Sequence, residues 1–233
     1  MMAGEPRITC CVFAWDEVAT LQRVVEAQLA ALERLGVPHE LLIIDDGSTD
    51  GTAEAADRLA AGHPVVRVIH HEQNRGLGGV YRTGFFAARG TFVTFFPADG
   101  QFPAAILERF YPLVESWDFV LGNLPERRDQ LLGALLGRVE RVLYRVICGP
   151  MPRLEGVFIF RRAVLERLPL RSTGRAWTVV WELILRAERS GCRMAPCEIT
   201  LLPRTHGASK VNNLRNITAN LRQLLALRRL LDD

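Results

Sequence analysis

Acidic, amide and glycine residues are concentrated in four short segments of the N-terminal half. The segments are AWDE (14–17), DDGSTDGT (45–52), HEQNRGLGG (71–79) and PADGQ (97–101). Carboxylates accept hydrogen bonds from a base or a ribose and coordinate hard divalent cations, and glycines let the backbone approach a ligand closely. These residue types indicate a site for a nucleotide and its phosphates.

Two adjacent carboxylates, Asp45 and Asp46, end the apolar run ELLIID. We expect Asp46 to accept hydrogen bonds from the base or ribose, and therefore to be exposed when no ligand is bound. Asp46→Ala should then weaken nucleotide binding more than it changes the fold. The alternative is that the residues from Asp45 to Asp50 serve only as turn and helix-cap residues, a common use of Asp and Ser. The pattern fits both alternatives.

The glycines of NRGLGGVYRTG (74–84) predict a close approach of the backbone to a ligand at a helix N-terminus. This segment is not a dinucleotide-binding fingerprint. Tyr81 stands where the last glycine of G-x-G-x-x-G would be required, and the segment follows the third predicted strand instead of the first. The chain also lacks the G-x-x-x-x-G-K-[ST] pattern of a P-loop.

Asp99 follows a fully apolar run and is the acid best placed to hold a metal. From the end of a strand it can coordinate Mg²⁺ or Mn²⁺, with Gln101 as a further oxygen ligand. Such a cation would neutralise a diphosphate and help it leave. A single Asp in a turn more often has only a structural role there. The position of Asp99 at the end of a strand is what favours its interpretation as a metal ligand.

These segments follow short β-branched runs that alternate with amphipathic, helix-like runs. The predicted strands are 8–13, 40–45, 65–70 and 91–96, with helices up to Leu35, after the cap residues Thr49 and Asp50, and from about Gly78 to Arg89. This order predicts an α/β fold, a doubly wound and mostly parallel sheet with helices on both faces. Ligands of such sheets bind beyond the carboxyl ends of the strands, where the four polar segments lie.

The second half of the chain is less regular. Strands are predicted at 118–122, 156–161 and 193–202, a helix ends at Gly191, and a basic helical stretch runs from Arg127 to Ile147. The C-terminal residues carry leucines at helical spacing with arginines between them, which predicts an amphipathic helix.

Composition limits the class of protein. The 233 residues, with 48% hydrophobic content, suit one domain with a small appended segment, and a net charge of +3 gives no support for nucleic-acid binding. Five cysteines, two of them in an apolar run, indicate reduced core thiols and favour the cytosol. The spacing of Cys192 and Cys197 does not suit a zinc site. We find no signal-peptide pattern and no apolar run long enough to span a bilayer.

Six motifs in order resemble glycosyltransferase family 2, and within it the dolichyl-phosphate-mannose synthase-like group. They are AWDE, IIDDGSTDGT, NRGLGGVYRTG, FFPADGQFP, EGVFIFRR and RTHGASK, and they extend from Ile8 to Lys210. The resemblance implies a GT-A fold, an inverting mechanism and a UDP- or GDP-sugar donor. It also implies, for many members, a polyprenyl phosphate acceptor.

The resemblance implies roles for individual residues. Those expected to bind the donor are Ala14, Glu17, Asp45, Asp46, Arg75, Gly76 and Asp99, and those expected to hold the metal are Asp99 and Gln101. Those expected to bind the acceptor or its phosphate are Arg127, Arg138, Arg204, Ser209 and Lys210. Asp99, Glu182 and Arg204 are the expected catalytic residues.

The chain departs from the family pattern at three places. Pro97, Ala98 and Asp99 replace the usual D-x-D, so the first carboxylate is absent and metal affinity should be weaker. Ala14 to Glu17 replaces the usual Pro-Tyr-Asn-Glu, and Glu155 stands near the place of an acid that usually precedes S-G-F. Glu182 matches a family acid that would orient the acceptor. Its alternative is an exposed helix acid paired with Arg186.

The expected function is transfer of a hexose-type sugar from a UDP- or GDP-sugar to a polyprenyl phosphate. A phosphate acceptor is already ionised, which fits the lack of a His-centred base. The alternatives are a hydroxyl acceptor on a glycan or small molecule, and a donor-binding protein weakened by the missing acid. Finding metal-dependent nucleotide binding without turnover would favour the last of these.

The expected glycosyltransferase domain is 1–211, with a nucleotide-sugar-binding half (1–122) and an acceptor half (123–211). A C-terminal amphipathic helix (212–233) is expected to follow it. The basic stretch and this helix are expected to lie at an anionic interface on the cytoplasmic face of a membrane. Binding would be reversible or through a membrane-spanning partner. The alternative is that their apolar faces pack on the transferase core.

Overall fold

The protein is built on one seven-stranded sheet, seen here in a computed structural model that describes residues 5–125, 147–149, 151–203, 226–229 and 231. The strands are β1 Ile8–Ala14, β2 His39–Asp45, β3 Val66–His70, β4 Phe92–Pro97, β5 Phe119–Asn123, β6 Phe158–Arg161 and β7 Met194–Glu198. Their spatial order is β3-β2-β1-β4-β6-β5-β7.

Helices connect most of these strands. They are α1 Val18–Leu35, α2 Thr52–Gly62, α3 Gly76–Ala87, α4 Ile106–Val114, the single turn α5 Val164–Arg167, and α6 Thr178–Arg189. The predicted alternation of strands and helices is therefore confirmed. Most boundaries differ from the prediction by one or two residues. The larger differences are that β7 is shorter and that Gly51, instead of Thr49 or Asp50, takes the N-cap position of α2.

The direction of the strands decides which loops meet. β1 pairs in parallel with β2 and β4, β2 with β3, and β5 with β7, whereas β6 runs antiparallel to both β4 and β5. The carboxyl ends of six strands and the beginning of β6 therefore share one edge. All four polar segments of the N-terminal half follow strands at this edge.

The sheet is covered on both faces, as its continuous apolar strands predict. Successive residues of β1 point to opposite sides, so Cys10 and Val12 pack with α1 and α4, and Cys11 packs with α3 and α6. All five cysteines are free, as expected. Burial raises the pKa of the Cys10 and Cys11 thiols, which makes them unreactive core residues.

Helix α3 lies unusually close to the sheet. A methyl group at Gly84 would come within 2.3 Å of the Phe95 ring of β4, so only glycine allows this approach. Tyr81, on the same face of α3, packs 4.7 Å from Phe95 and 5.4 Å from Trp177 between ring centroids. Trp177 is thus a packing residue, and these contacts hold α3 in its place beside the candidate site.

The described C-terminal residues pack on the core. Leu227 and Leu231 are buried in a small cluster with Cys148 and Leu185, and Arg189 donates a hydrogen bond to the Leu231 carbonyl at 2.6 Å. This part of the tail thus packs on the core, which is the alternative to a position at an anionic membrane surface. Most of the expected helix 212–233, and the basic stretch up to residue 146, lie outside the described residues. Among the residues that are described, no helix combines the length and apolar character needed to span a bilayer.

Candidate functional site

The turn after β1 is bound to the turn after β2. Ser48 Oγ accepts a hydrogen bond from the Asp16 amide at 2.9 Å, and Asp16 Oδ1 accepts one from the Thr49 amide at 2.8 Å. Asp16 adopts φ 52°, in the left-handed region that Asp and Asn enter more readily than most non-glycine residues. The two segments therefore form one structural unit, and Ala14 belongs to it because its carbonyl accepts the Asp46 amide hydrogen at 2.9 Å.

The start of α1 is fixed by the same unit. Thr52 Oγ1 accepts the Glu17 amide hydrogen at 2.9 Å, and Asp50 accepts those of Val18 and Thr52 at 3.2 and 3.0 Å. Burial alone would raise the Asp50 pKa, but the hydrogen bonds from Thr52 and Val18 outweigh it and hold the pKa below its ordinary value. For Ser48 and Asp50 the alternative of turn residues is therefore confirmed.

Asp46 is a buried, fully engaged carboxylate. Only 3% of the residue is exposed, and its oxygens accept hydrogen bonds from His71 Nδ1 at 2.7 Å, the Arg75 amide at 2.8 Å and the Gly76 amide at 2.9 Å. The expectation of an exposed Asp46 is wrong, because the chain after β3 folds over the carboxylate and gives it three donors. We call Asp46 and residues 74–76 the Asp46 cradle.

His71 extends this cradle into the core. It is 5% exposed, and its Nε2 lies 2.8 Å from the hydroxyl of Thr83 on α3. A neutral imidazole satisfies both contacts, with Nδ1–H donating to Asp46 and Nε2 accepting from the hydroxyl. Sequence reasoning missed His71, although its place directly after β3 is the same signal that identified the other residues.

Asp45 is also buried, at 2% exposure, but it faces another partner. It accepts the Ser48 amide hydrogen at 3.1 Å and contacts His70 Nδ1 at 2.9 Å, while His70 Nε2 lies 3.1 Å from Asp57. The hydrogen bond with Asp45, opposed by partial burial and assisted by Asp57, raises the pKa of His70. Asp45 thus supports the end of β2.

The glycines at the start of α3 face protein backbone. The Gly78 amide donates to the Arg175 carbonyl at 2.8 Å, and a methyl group at Gly78 would lie 2.0 Å from the Gly174 carbonyl oxygen. The expectation that these glycines admit a ligand is therefore corrected: residues 174–176 occupy the approach. Gly76 has φ +71° and also meets the Arg175 carbonyl.

Arg75 is the exposed cation of this region. Its aliphatic stem lies across Gly79, where a methyl group would come within 2.3 Å of the Arg75 Cβ. Arg82 lies near it: desolvation, with a smaller contribution from the Arg75 charge, lowers the pKa of Arg82. The glycine therefore fixes the direction in which the Arg75 guanidinium leaves the helix.

The Asp99 turn lies at the end of β4. Asp99 is 9% exposed, and its Oδ1 accepts the Gln101 amide hydrogen at 3.0 Å. Leu202, shortly before the RTHGASK segment, donates its amide hydrogen to the Gln101 carbonyl at 2.7 Å. Asp99 and Gln101 are thus together as expected, and the chain leading to RTHGASK passes beside them.

The oxygen donors of this turn suit a hard divalent cation. Within the described part of the chain, no group of three or more His, Cys, Asp and Glu side chains could hold a metal alone. Mg²⁺ commonly binds through one or two carboxylates together with substrate phosphates. Asp99 and Gln101 fit a cation of this shared kind, which a diphosphate would help to hold.

Glu155 reaches the same edge because β6 is antiparallel. Gly156 has φ +101° and lies against the Phe102 ring, which a methyl group at this position would approach within 2.5 Å, so EGVF is joined to PADGQF. Glu155 Oε2 accepts the Leu124 amide hydrogen at 2.8 Å. Its clear structural role is to hold the chain that leaves β5.

Glu182 is completely buried on α6. Its carboxylate accepts the Arg171 and Ser172 amide hydrogens at 2.9 and 2.7 Å, and it pairs with Arg186 at 3.0 Å. The alternative interpretation of Glu182 is an exposed acid paired with Arg186. The pair with Arg186 is confirmed, but the expectation that Glu182 is exposed is wrong. Both carboxylate oxygens of Glu182 are thus engaged by other residues of the protein.

Trp15 is an exposed aromatic residue at the site edge that sequence reasoning did not include among the candidates. It follows β1 directly and is 40% exposed at the edge where the polar segments meet. An aromatic residue inside an otherwise acidic turn was the available signal, because a large exposed ring can stack on a planar ligand. The remaining expected residues, Arg127, Arg138, Arg204, Ser209 and Lys210, lie outside the described residues.

Comparison with known proteins agrees with this architecture. The family model described as "Glycosyl transferase family 2" matches residues 9–166. This chain belongs to glycosyl transferase family 2. Polyprenol monophosphomannose synthase of Mycolicibacterium smegmatis is 31% identical and covers 74% of the chain and 70% of its own length. Undecaprenyl-phosphate mannosyltransferase of Micrococcus luteus is 30% identical, with coverages of 74% and 76%.

Other relatives are longer or more distant. Glycosyltransferase AglD of Haloferax volcanii is 29% identical over 91% of the chain, and the chain spans only 35% of AglD. Glucosyl-3-phosphoglycerate synthase of Mycobacterium tuberculosis, solved with phosphoglyceric acid, has a TM-score of 0.68 at 22% identity and covers 98% of the chain and 80% of its own. The expected family and the GT-A fold are therefore confirmed.

Asp46→Asn should lower both stability and nucleotide affinity. An amide in place of the carboxylate presents an NH₂ group to at least one of three buried donors, at a cost of about 1–3 kcal/mol. Melting temperature and calorimetric titration with UDP and GDP measure the two effects, with Glu33→Gln, an exposed acid on α1, as the control. A melting temperature equal to that of wild type would contradict the buried role.

His70→Gln should destabilise the protein in a pH-dependent way. The raised pKa of His70 means that its stabilising contribution is complete below the ordinary value of 6.5 and disappears as the pH rises through the higher folded-state value. The difference in melting temperature between wild type and variant should therefore be larger at acidic pH and shrink as the pH is raised above the ordinary pKa of histidine. His63→Gln is the control, and a difference independent of pH would refute the ion-pair role.

Proposed function

We propose that this protein transfers a hexose-type sugar from a UDP- or GDP-sugar to a polyprenyl phosphate, with inversion at the anomeric carbon. The observation that carries the proposal is the meeting, at one sheet edge, of the Asp46 cradle, the Asp99 turn and the chain that leads into RTHGASK. Two relatives named for polyprenyl-phosphate mannose chemistry support the acceptor class.

The donor is proposed to bind with its base near Trp15 and Glu17. The exposed indole offers a stacking face, and the rigid turn that contains it is fixed by Ser48 and Thr52. The Asp46 cradle determines where the backbone of residues 74–76 lies, and Arg75 supplies a cation for the diphosphate. Solved structures of the M. tuberculosis synthase with UDP and with Mn²⁺ or Mg²⁺ support this class of ligand.

Asp99 and Gln101 are the residues that would hold a divalent cation. When bound, Mg²⁺ or Mn²⁺ would neutralise charge on the diphosphate leaving group. The protein contributes a single acid to the motif, since Pro97 takes the place of the first carboxylate of the usual D-x-D. We therefore expect the donor diphosphate to be needed for tight metal binding.

The acceptor half of the reaction requires little proton chemistry. A phosphate monoester oxygen is already ionised at neutral pH and can attack the anomeric carbon as the bond to the nucleoside diphosphate breaks. One such displacement inverts the configuration. Arg204 follows Leu202 by two residues, and the Leu202 hydrogen bond to Gln101 supports a role for Arg204, Ser209 and Lys210 in binding the acceptor phosphate.

Contact with a membrane is proposed to be peripheral and on the cytoplasmic face. In the tail, Leu227 and Leu231 are buried while Arg228 and Arg229 are exposed. The leucines are thus used for packing, and the exposed arginines can reach an anionic surface or a membrane-spanning partner. A polyprenyl phosphate would present its headgroup at such a surface.

Asp99→Asn should remove most of the transferase activity, because it deletes the charge that would hold the metal against the diphosphate. Initial rates over a Mn²⁺ titration measure this effect. Asp118→Asn, at the opposite end of β5, is the matched control. Retained activity with unchanged metal dependence would eliminate the assignment of Asp99.

Polyprenyl phosphate should be used in preference to soluble acceptors when both are offered with UDP- and GDP-sugars. Product analysis and sedimentation with anionic liposomes test the acceptor and the membrane contact, and Arg204→Ala should reduce transfer. Glycosylation of a soluble hydroxyl acceptor, with the protein left in the supernatant, would favour a transferase that acts on a glycan or small molecule. Nucleotide binding without any transfer would favour a donor-binding protein.

A further inference from the structure

Residues 171–177 connect α5 to α6 and lie directly against the first turn of α3. The Arg175 carbonyl accepts the Gly78 amide hydrogen at 2.8 Å, and the Arg175 guanidinium donates to Asn74 Oδ1 at 2.6 Å. These contacts join residues about a hundred positions apart in the sequence. We call residues 171–177 the latch.

Arg82 binds the latch from the side of α3. One of its terminal nitrogens donates to the carbonyls of Ser172 and Gly174 at 3.0 and 3.1 Å. Both desolvation and the neighbouring Arg75 charge lower the pKa of Arg82, so its environment disfavours a buried cation. Hydrogen bonds to the two carbonyls compensate for this cost. The partly buried position of Arg82 therefore depends on the latch being in place.

Glu182 binds the latch from the side of α6. Its buried carboxylate accepts hydrogen bonds from the Arg171 and Ser172 amides, and Arg186 neutralises its charge. A buried carboxylate without these donors would be strongly unfavourable. Residues 171–174 of the latch are therefore held by a carboxylate through their amides and by a guanidinium through their carbonyls.

The latch continues into the Asp46 cradle. Asn74, which receives the Arg175 hydrogen bond, directly precedes Arg75 and Gly76, whose amides bind Asp46. A methyl group at Gly76 would also come within 2.7 Å of the Arg175 carbonyl oxygen. Arg175 is therefore in direct contact with the chain that forms the cradle.

We propose that the latch sets the geometry of the Asp46 cradle and thereby the affinity for the donor nucleotide, with Arg82 and Glu182 as positioning residues. The effect on nucleotide affinity rests on the proposed function; the mechanical coupling of latch and cradle does not. The proposal places part of the donor site under the control of a segment from the second half of the chain.

Gly78 offers a test in which two effects have opposite signs. Replacing a helical glycine by alanine ordinarily favours the helix by about 1 kcal/mol. At Gly78 the added methyl would lie 2.0 Å from the Gly174 carbonyl oxygen, so the latch must move away. Gly62→Ala, on α2 with no atom within 4 Å of the added methyl, measures the helix effect alone.

The experiment compares Arg82→Ala, Glu182→Gln and Gly78→Ala with matched controls. Arg162→Ala removes a guanidinium bond to the Gly90 carbonyl, and Glu40→Gln alters a buried carboxylate that accepts the Arg89 amide hydrogen, both at the opposite edge of the sheet. Gly62→Ala completes the set. Hydrogen exchange of residues 74–78 and 171–177 reports the coupling, and titration with UDP and GDP reports nucleotide affinity.

Each latch variant is expected to accelerate amide exchange in both segments and to weaken nucleotide binding about tenfold, the loss expected for one charge-assisted hydrogen bond. The controls should leave both readouts unchanged even where they lower the melting temperature. Faster exchange in 171–177 with unchanged exchange in 74–78 would overturn the proposal. So would a loss of affinity no larger than that of the controls.

The proposed function and the latch can fail separately. If wild type binds neither nucleotide, the proposed donor class is wrong, and exchange at residues 74–78 alone decides whether the latch controls the cradle. Gly62→Ala is expected to slow amide exchange in α2. If Gly78→Ala likewise slows amide exchange in α3 and leaves residues 171–177 protected, the steric coupling is refuted.

Discussion

Buried carboxylates at the site edge must be satisfied by hydrogen-bond donors, because an unpaired charge inside a protein is strongly unfavourable. Asp46, Asp45 and Glu182 are almost or completely inaccessible to solvent. The donors for Asp46 and Glu182 are mostly backbone amides of loops that would otherwise be free to move. The shapes of these loops therefore follow from the positions of the acids, and the acids are placed by the sheet and by α6.

This constraint divides the motif residues into two groups. Asp45, Asp46, Ser48 and Asp50 mainly hold backbone in place, whereas Trp15 and Arg75 contribute exposed surface at the edge. A motif rich in acids can thus be typical of nucleotide binding while its carboxylates are hydrogen-bonded to the protein itself. In the proposed function, these carboxylates contribute by preorganising the backbone that the ligand would meet.

The two halves of the chain are less independent than their sequence order suggests. The antiparallel strand β6 brings Glu155 and Gly156 beside Phe102, and Leu202 returns to Gln101. The segment 171–177 reaches the first turn of α3. Residues from the second half of the chain thus touch two of the four polar segments of the first half, and the buried tail residues Leu227 and Leu231 pack near Leu185 of α6.

The sequence by itself determined the alternation of strands and helices, the edge at which polar segments collect, and the family. These features depend on local periodicity and on short motifs, which a single chain displays directly. It could not determine that Asp46 is buried, that Gly78 faces Gly174, or that Glu182 holds the chain before α6. Those facts depend on contacts between residues far apart in sequence, and a carboxylate or glycine has the same local pattern whether its partner is a ligand or another loop. Only the tertiary structure decided which partner each residue meets.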